Sequence, residues 1–249
     1  MKPERLFAHD AALARAASYG ATVRQKDHPI HPSANADELR QAFCRPLPDG
    51  PTAGTAVIDE LIKAAEPGLV GNTDPRFFAW VMGASDPVGV AAEWLTSIWG
   101  QNAGIYQTAP AAAIAEEAVS GWLLDLLDLP RQSSVGFVTG ATMAAFVGLA
   151  AARSSVLNNV GYDVDQLGLQ GAPLVNIFIS EDAHVTNYSA LRYLGFGEAN
   201  VARMPSDSRG LMNASDLSGA MSAAQGPKIV IAQGGHINSG GFEDMTAIA

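Results

Sequence analysis

The architecture of this chain is most legible in the segment Val135–Arg153, VGFVTGATMAAFVGLAAAR. A short apolar run, Val135–Val138, stops at Thr139-Gly140-Ala141-Thr142, and a helical pattern follows at once. A strand that passes through a tight small-residue turn into a helix leaves the first helical N–H groups unpaired and converging. Those donors, the positive end of the helix dipole and the Thr142 hydroxyl make Gly140, Ala141 and Thr142 a candidate anion seat. The same residues also fit an ordinary βα turn. Neither a P-loop signature nor a GxGxxG fingerprint is present.

A second segment lies about forty residues on. Leu174–Ser180, LVNIFIS, is β-branched and apolar, as a strand covered on both faces requires. It runs through Glu181-Asp182-Ala183-His184 into VTNYSALRYLG, a helix expected to close at Gly195. His184 therefore falls just past the carboxyl end of a buried strand, the edge at which open α/β sheets bind ligands. It reads either as a surface or capping residue or, beside a phosphate seat, as a flat ring that stacks on an aromatic cofactor.

Three regions emerge along the chain. Residues 1–53 hold an amphipathic helix (Leu6–Ser18), then a Pro-rich loop in which an Asn or Asp caps a further helix. Residues 54–128 are mainly helical, with i, i+3, i+4 apolar spacing over Thr55–Ala65, Pro87–Trp99 and Ala109–Leu127. From Val135 onward strands and helices alternate. Val135–Val138, Leu174–Ser180, Val201–Met204 and Lys228–Ala232 are the expected strands, in a βαβ register that implies a largely parallel sheet. The glycine-rich stretch Asn158–Gly171 is expected to be a mobile loop.

With 249 residues and 48% apolar content, the chain can bury a sizeable core. A net charge of -10 without a basic run argues against nucleic acid or anionic membrane as partners. Cys44 is the sole cysteine, so there is no disulfide framework, and a cytoplasmic location is the simplest setting. The charged N-terminus is no signal peptide, and no apolar run reaches the roughly 18 residues of a membrane span.

VTGATMAAFVGLAAAR resembles the phosphate-binding turn and helix of the group II pyridoxal-phosphate-dependent amino acid decarboxylases. ISEDAHVTNYSALRYLGFG resembles that family's ring-stacking histidine segment, and NTDPRFFAWVMGAS (Asn72–Ser85) its (H)PRFF segment. IVIAQGGHINSGGFEDMTAI resembles the strand and loop flanking the cofactor, and the likeness is collinear from about Asn72 to the last residue. The resemblance implies an α/β fold, the first half of a fold type I PLP-dependent transferase-like large domain. That domain has a mostly parallel sheet with helices on both faces. Residues 1–128 would be the helical N-terminal region and dimerisation segment, and residues 129–249 the truncated first half of the PLP-binding domain.

It also implies the site. Gly140, Ala141 and Thr142 would hold the phosphate of pyridoxal 5'-phosphate; His184 would stack on its ring and serve as the catalytic residue. Gly235, His236 and Asn238 would contact the cofactor from a loop where relatives often carry Asn in place of His236. Trp80, Val81, Met82, Gly83 and Tyr106 would line the substrate pocket. Burying a carboxylate against Trp, Val and Met would cost several kcal/mol, so an aromatic or hydrophobic L-amino acid is the favoured substrate. EWLTS and YQTAP lie closer to the glutamate and cysteine-sulfinate branch, which stays open as the alternative. The family resemblance further implies a homodimer whose N-terminal helices, bearing Trp94, Trp99 and Trp122, pack against a partner. No metal is expected.

Two components that the resemblance calls for are missing. The chemistry needs a Schiff-base lysine and an acid at the pyridine nitrogen. The chain has only Lys2, Lys26, Lys63 and Lys228, and none fits the family's position. Lys228 precedes its strand and is expected to face away from the site. The sequence therefore reads as the N-terminal portion of a longer decarboxylase, inactive by itself. A non-catalytic PLP- or nucleotide-binding α/β module stays open beside it.

Overall fold

A computed structural model describes residues 3–25 and 27–249. Lys2 and Lys26 lie outside the described residues. The chain divides into two compact units, Met1–Ala113 and Ile114–Ala249. That division falls inside a helix that the sequence reading assigned wholly to the N-terminal region ending at 128.

The first unit is helical. It contains α1 (Pro3–Thr22), α2 (Ala36–Phe43), α3 (Gly54–Ala65) and α4 (Pro87–Trp99). Of the Asn or Asp expected to cap α2, the cap is Asn35, whose side chain accepts from the backbone N–H groups of Asp37 and Glu38 while the Glu38 carboxylate accepts from Asn35 N. α4 starts at Pro87 behind an Asp86 cap and stops at Gly100 in the left-handed conformation. α1 packs on α3, and Arg15 pairs with Glu66 just beyond α3. α5 (Pro110–Leu126) follows.

The second unit contains α6 (Ala141–Asn158), α7 (Val164–Leu167), β1 (Asn176–Ser180), α8 (Val185–Tyr193), β2 (Val201–Met204), α9 (Ala214–Ala223), β3 (Lys228–Ile231) and α10 (Met245–Ile248). The three strands form a parallel sheet of order β2-β1-β3. In β1, Ile177 aligns with Val201 and Ile229, and Phe178 with Ala202 and Val230. Alternation then divides the core. Ile177 and Ile229 pack with Leu149 and Leu157 of α6, Val164 of α7, and Ala190 and Leu191 of α8. Phe178 and Met204 pack with Met212, Leu217 of α9 and Ile248 of α10. The central strand is thus buried on both faces, which the apolar run Ile177–Ile179 requires.

Two expectations are corrected. Val135–Val138 is not a strand. Its backbone pairs with no strand among the described residues, and Phe137 and Val138 remain largely exposed, because an apolar run becomes a strand only when a neighbour offers a hydrogen-bonding edge. The Asn158–Gly171 stretch is also more than a loop. Asp163 caps α7, Val164 is buried in the core, and the Tyr162 hydroxyl donates to the Gly168 carbonyl at 2.9 Å.

Candidate functional site

The parallel strands send three connections out of one sheet edge. β1 ends at Ser180 and reaches His184 four residues later; β3 ends at Ile231 and reaches Gly235 after the same interval. The exit of β2 is tied to that of β1. Ser206 N donates to Glu181 Oε1 (2.9 Å), and Ser206 Oγ donates to Asp182 Oδ2 (2.9 Å).

α6 brings its N-terminus to the same side. α8 begins directly after β1, so its N-terminus lies at this edge. Arg153, late in α6, donates from Nη1 to the Leu194 carbonyl at the far end of α8 (3.0 Å). The packed helices α6 and α8 therefore run side by side in one sense, with their positive ends together. α7, α8, α9 and α10 each begin under a capping side chain, Asp163, His184, Asn213 and Asp244. α6 begins at extended Gly140 with no side-chain cap, and Ala141, Thr142 and Met143 are exposed. Its first-turn N–H groups are left for solvent or an anion.

His184 has a local task as well. It is the N-cap of α8: Nδ1 accepts from Thr186 N (3.3 Å) and lies 2.8 Å from the Thr186 hydroxyl. A neutral ring that accepts at Nδ1 carries its proton on Nε2, and His184 is exposed. Behind it, the Tyr188 hydroxyl donates to the Ser180 carbonyl (3.3 Å), and the Arg203 guanidinium lies 4.9 Å from the Tyr188 ring centroid. Burial raises the Tyr188 phenol above its ordinary value.

The loop after β3 closes on itself. His236 N donates to Gly241 O (2.8 Å), Gly240 N donates to His236 O (2.7 Å), and Gly234 bridges to Phe242. His236 Nδ1 accepts from Asn238 N and Ser239 N, each at 3.3 Å. The imidazole lies on Gly210, where an added Cβ would come within 2.5 Å of the ring. Gly210 also has φ +78, so both conformation and space demand glycine there. Asn238 is exposed.

Sequence reasoning missed four residues here. Glu243 is buried and accepts from Met212 N (3.1 Å) and Gln233 N (2.8 Å). Gln233 has a buried side-chain Nε2 without a hydrogen-bond partner among the described residues. Ser206 and Gly210 join neighbouring connections. An acid in GGFED looks like any solvated loop acid, so no local signal distinguishes Glu243.

Trp80, Val81, Met82, Gly83 and Tyr106 belong to the first unit. Trp80 is 86% exposed. Trp80 and Val81 both adopt left-handed backbone, φ 64 and φ 50, a costly conformation for side-chain-bearing residues and most of all for β-branched Val. Just before them, Asp74 is buried and takes hydrogen bonds from Arg76 N (2.7 Å), Nε (2.9 Å) and Nη2 (2.7 Å). Those contacts hold its carboxyl down to about 2.

Of the described lysines, Lys63 lies in α3 and Lys228 opens β3, at the edge opposite His184. Lys228 Nζ donates to Gly226 O (3.3 Å).

Residues 37–249 match the family model described as the pyridoxal-dependent decarboxylase conserved domain. The chain belongs to this family of pyridoxal-dependent decarboxylases. It is 25% identical over 232 residues to an aromatic-L-amino-acid decarboxylase of Bacillus atrophaeus, covering 90% of this chain and 45% of that protein. It is 27% identical over 184 residues to an acidic amino acid decarboxylase of Xenopus tropicalis, covering 72% of this chain and 35% of that one. The solved structure of Oryza sativa TDC with PLP and tryptamine superposes with a TM-score of 0.84 at 22% identity, covering 100% of this chain and 52% of that chain. The chain thus spans about half the length of the relatives it matches.

Proposed function

We propose that this chain forms the phosphate seat and the ring-contacting edge of a pyridoxal-phosphate-dependent amino acid decarboxylase. The observation that carries the reading is the uncapped N-terminus of α6, set on the same side as the exposed ring of His184. Gly140, Ala141 and Thr142 would take the phosphate through first-turn N–H groups and the Thr142 hydroxyl. His184 would lay one face against the pyridine ring while Nδ1 stays committed to Thr186. Asn238 is the outward polar group of the Gly235–Gly240 loop; His236 shapes that loop from within. When bound, pyridoxal phosphate supplies the electron sink that lets the substrate carboxylate leave as CO₂. Lys228, which opens β3 at the opposite edge, is not the Schiff-base lysine in this reading. Titrating the chain with pyridoxal phosphate, with inorganic phosphate as competitor, tests the seat. Amide shifts at Ala141–Met143 and around His184 are the expected result, and saturable binding that leaves both unperturbed would refute it.

The favoured substrate is an aromatic or hydrophobic L-amino acid, supported by the apolar, exposed side chains of Trp80, Val81, Met82 and Tyr106. The glutamate, aspartate and cysteine-sulfinate class is the second reading, supported by the similarity to the acidic amino acid decarboxylase. An amino acid panel on protein carrying the lysine decides between them. The assembly we propose is a homodimer, supported by the exposure of Trp99 and Trp122 on apolar helices, and light scattering tests it. No helix among the described residues is long and apolar enough to cross a membrane.

A further inference from the structure

We propose that Glu243 is a positioning residue for the cofactor-facing loop: its buried carboxylate fastens the Gly234–Phe242 loop to the end of β3 and to the turn that follows β2. This inference rests on the proposed function for its link to the cofactor, and on the geometry alone for its link to the loop.

Glu243 is 4% exposed and forms no ion pair among the described residues. A buried carboxylate survives only where donors replace its lost hydration. Here two backbone N–H groups do so, one from each neighbouring segment: Gln233 N at the loop's start and Met212 N in the connection from β2 to α9. Glu243 N also donates to Gln233 O (3.2 Å), so main chain and side chain both grip the same residue. The two segments meet again above this point. The His236 ring rests on Gly210, and Ser239 Oγ donates to Arg209 O (2.6 Å). The 207–211 turn is itself stiff, because Asp207 accepts from Arg209 N and Leu211 N. The loop that carries Gly235, His236 and Asn238 is therefore braced at its tip by contacts on this turn. At its base it is braced by one carboxylate that no shorter or neutral side chain reproduces.

Two substitutions follow from that geometry. Glu243→Gln keeps the size but turns an N–H₂ toward one of the two backbone donors. Glu243→Asp keeps the charge but is one methylene too short to reach both. Amide hydrogen exchange on the full chain should show His236–Gly241 exchanging about tenfold faster in either variant, with Ile177–Ile179 of β1 unchanged. In the unmodified protein, the amides of Gln233 and Met212 should exchange together with the loop as one unit. That measurement stands even if a variant does not fold. With pyridoxal phosphate at saturation, the circular dichroism induced in the bound cofactor should fall severalfold in Glu243→Gln, because a loosened loop no longer fixes the ring. Loop exchange unchanged in both variants, acceleration spread evenly over the core, or Gln233 and Met212 exchanging independently of the loop would each overturn the proposal. Undiminished induced dichroism would overturn its link to the cofactor. If the unmodified chain binds no pyridoxal phosphate, the proposed function fails, and the exchange data still decide the role of Glu243 in the loop.

Discussion

Asp74 and Arg76, two residues apart, close a bidentate ion pair in which Arg76 Nε and Nη2 reach both oxygens of a carboxylate that is 3% exposed as a residue. Arg76 Nη2 also donates to the His28 carbonyl at 2.9 Å, so the pair pins the start of the Phe77–Gly83 segment to the chain that follows α1. A bidentate guanidinium–carboxylate pair fixes direction as well as distance. Here it sets the backbone immediately ahead of the left-handed Trp80 and Val81.

The pair makes stability depend on acid. The Asp74 carboxyl is held down to about 2 by hydrogen bonds from Arg76, against about 4 in an unfolded chain. Between those values the unfolded state binds more protons, so the contribution is complete above pH of about 4 and is lost as pH falls through about 2. Urea unfolding measured across that window should show stability decreasing toward acid. Asp74→Asn should lower stability at neutral pH and flatten the acid slope; an unchanged slope would separate the pair from the acid response.

His184 combines a cap and a ring, and the two can be taken apart. His184→Ala removes the acceptor for Thr186 N and should cost about 1 kcal/mol of stability. His184→Asn restores a capping oxygen without a flat ring. Thermal unfolding of the Asn variant should therefore approach that of the unmodified protein, while its pyridoxal phosphate affinity should match that of the Ala variant. Full affinity in His184→Asn would remove the ring from the site.

Thr142 tests the phosphate seat. Thr142→Ala should weaken pyridoxal phosphate binding by roughly 1–3 kcal/mol if its hydroxyl bonds the dianion, and Thr142→Ser should retain most of the affinity. Calorimetric titration reads both. Unchanged affinity in Thr142→Ala together with His184→Ala would reject the assignment.

Gly210→Ala should destabilise the second unit. The new methyl meets the His236 ring within 2.5 Å, and φ +78 adds about 1–2 kcal/mol of backbone strain. Adding His236→Ala should recover the part due to collision and leave the part due to strain. Denaturant midpoints of the single and double variants measure the split.

Periodicity and local chemistry were enough to place most elements. The apolar spacing of Pro87–Trp99 gave α4 to the residue, and the Pro-rich loop ending in Asn and Asp announced a capped start to α2. The β-branched, largely apolar LVNIFIS run announced a strand covered on both faces. Signals of this kind are local, because caps and turns act within a few residues and side-chain alternation is read along one strand. They also put Gly140–Thr142 ahead of a helix and His184 past a strand end. Pairing and burial are not local. Val135–Val138 has strand chemistry but no neighbouring edge, so its extended backbone stays unpaired. Glu243 has loop chemistry but is buried, because Gln233 and Met212, ten and thirty-one residues away in sequence, turn their N–H groups toward it. His236 reads in sequence as a polar loop residue, and that its ring lies on Gly210, far off in the chain, follows only from the packed fold. Each of these outcomes depends on which segments the packed sheet brings together, and only the tertiary structure decides that.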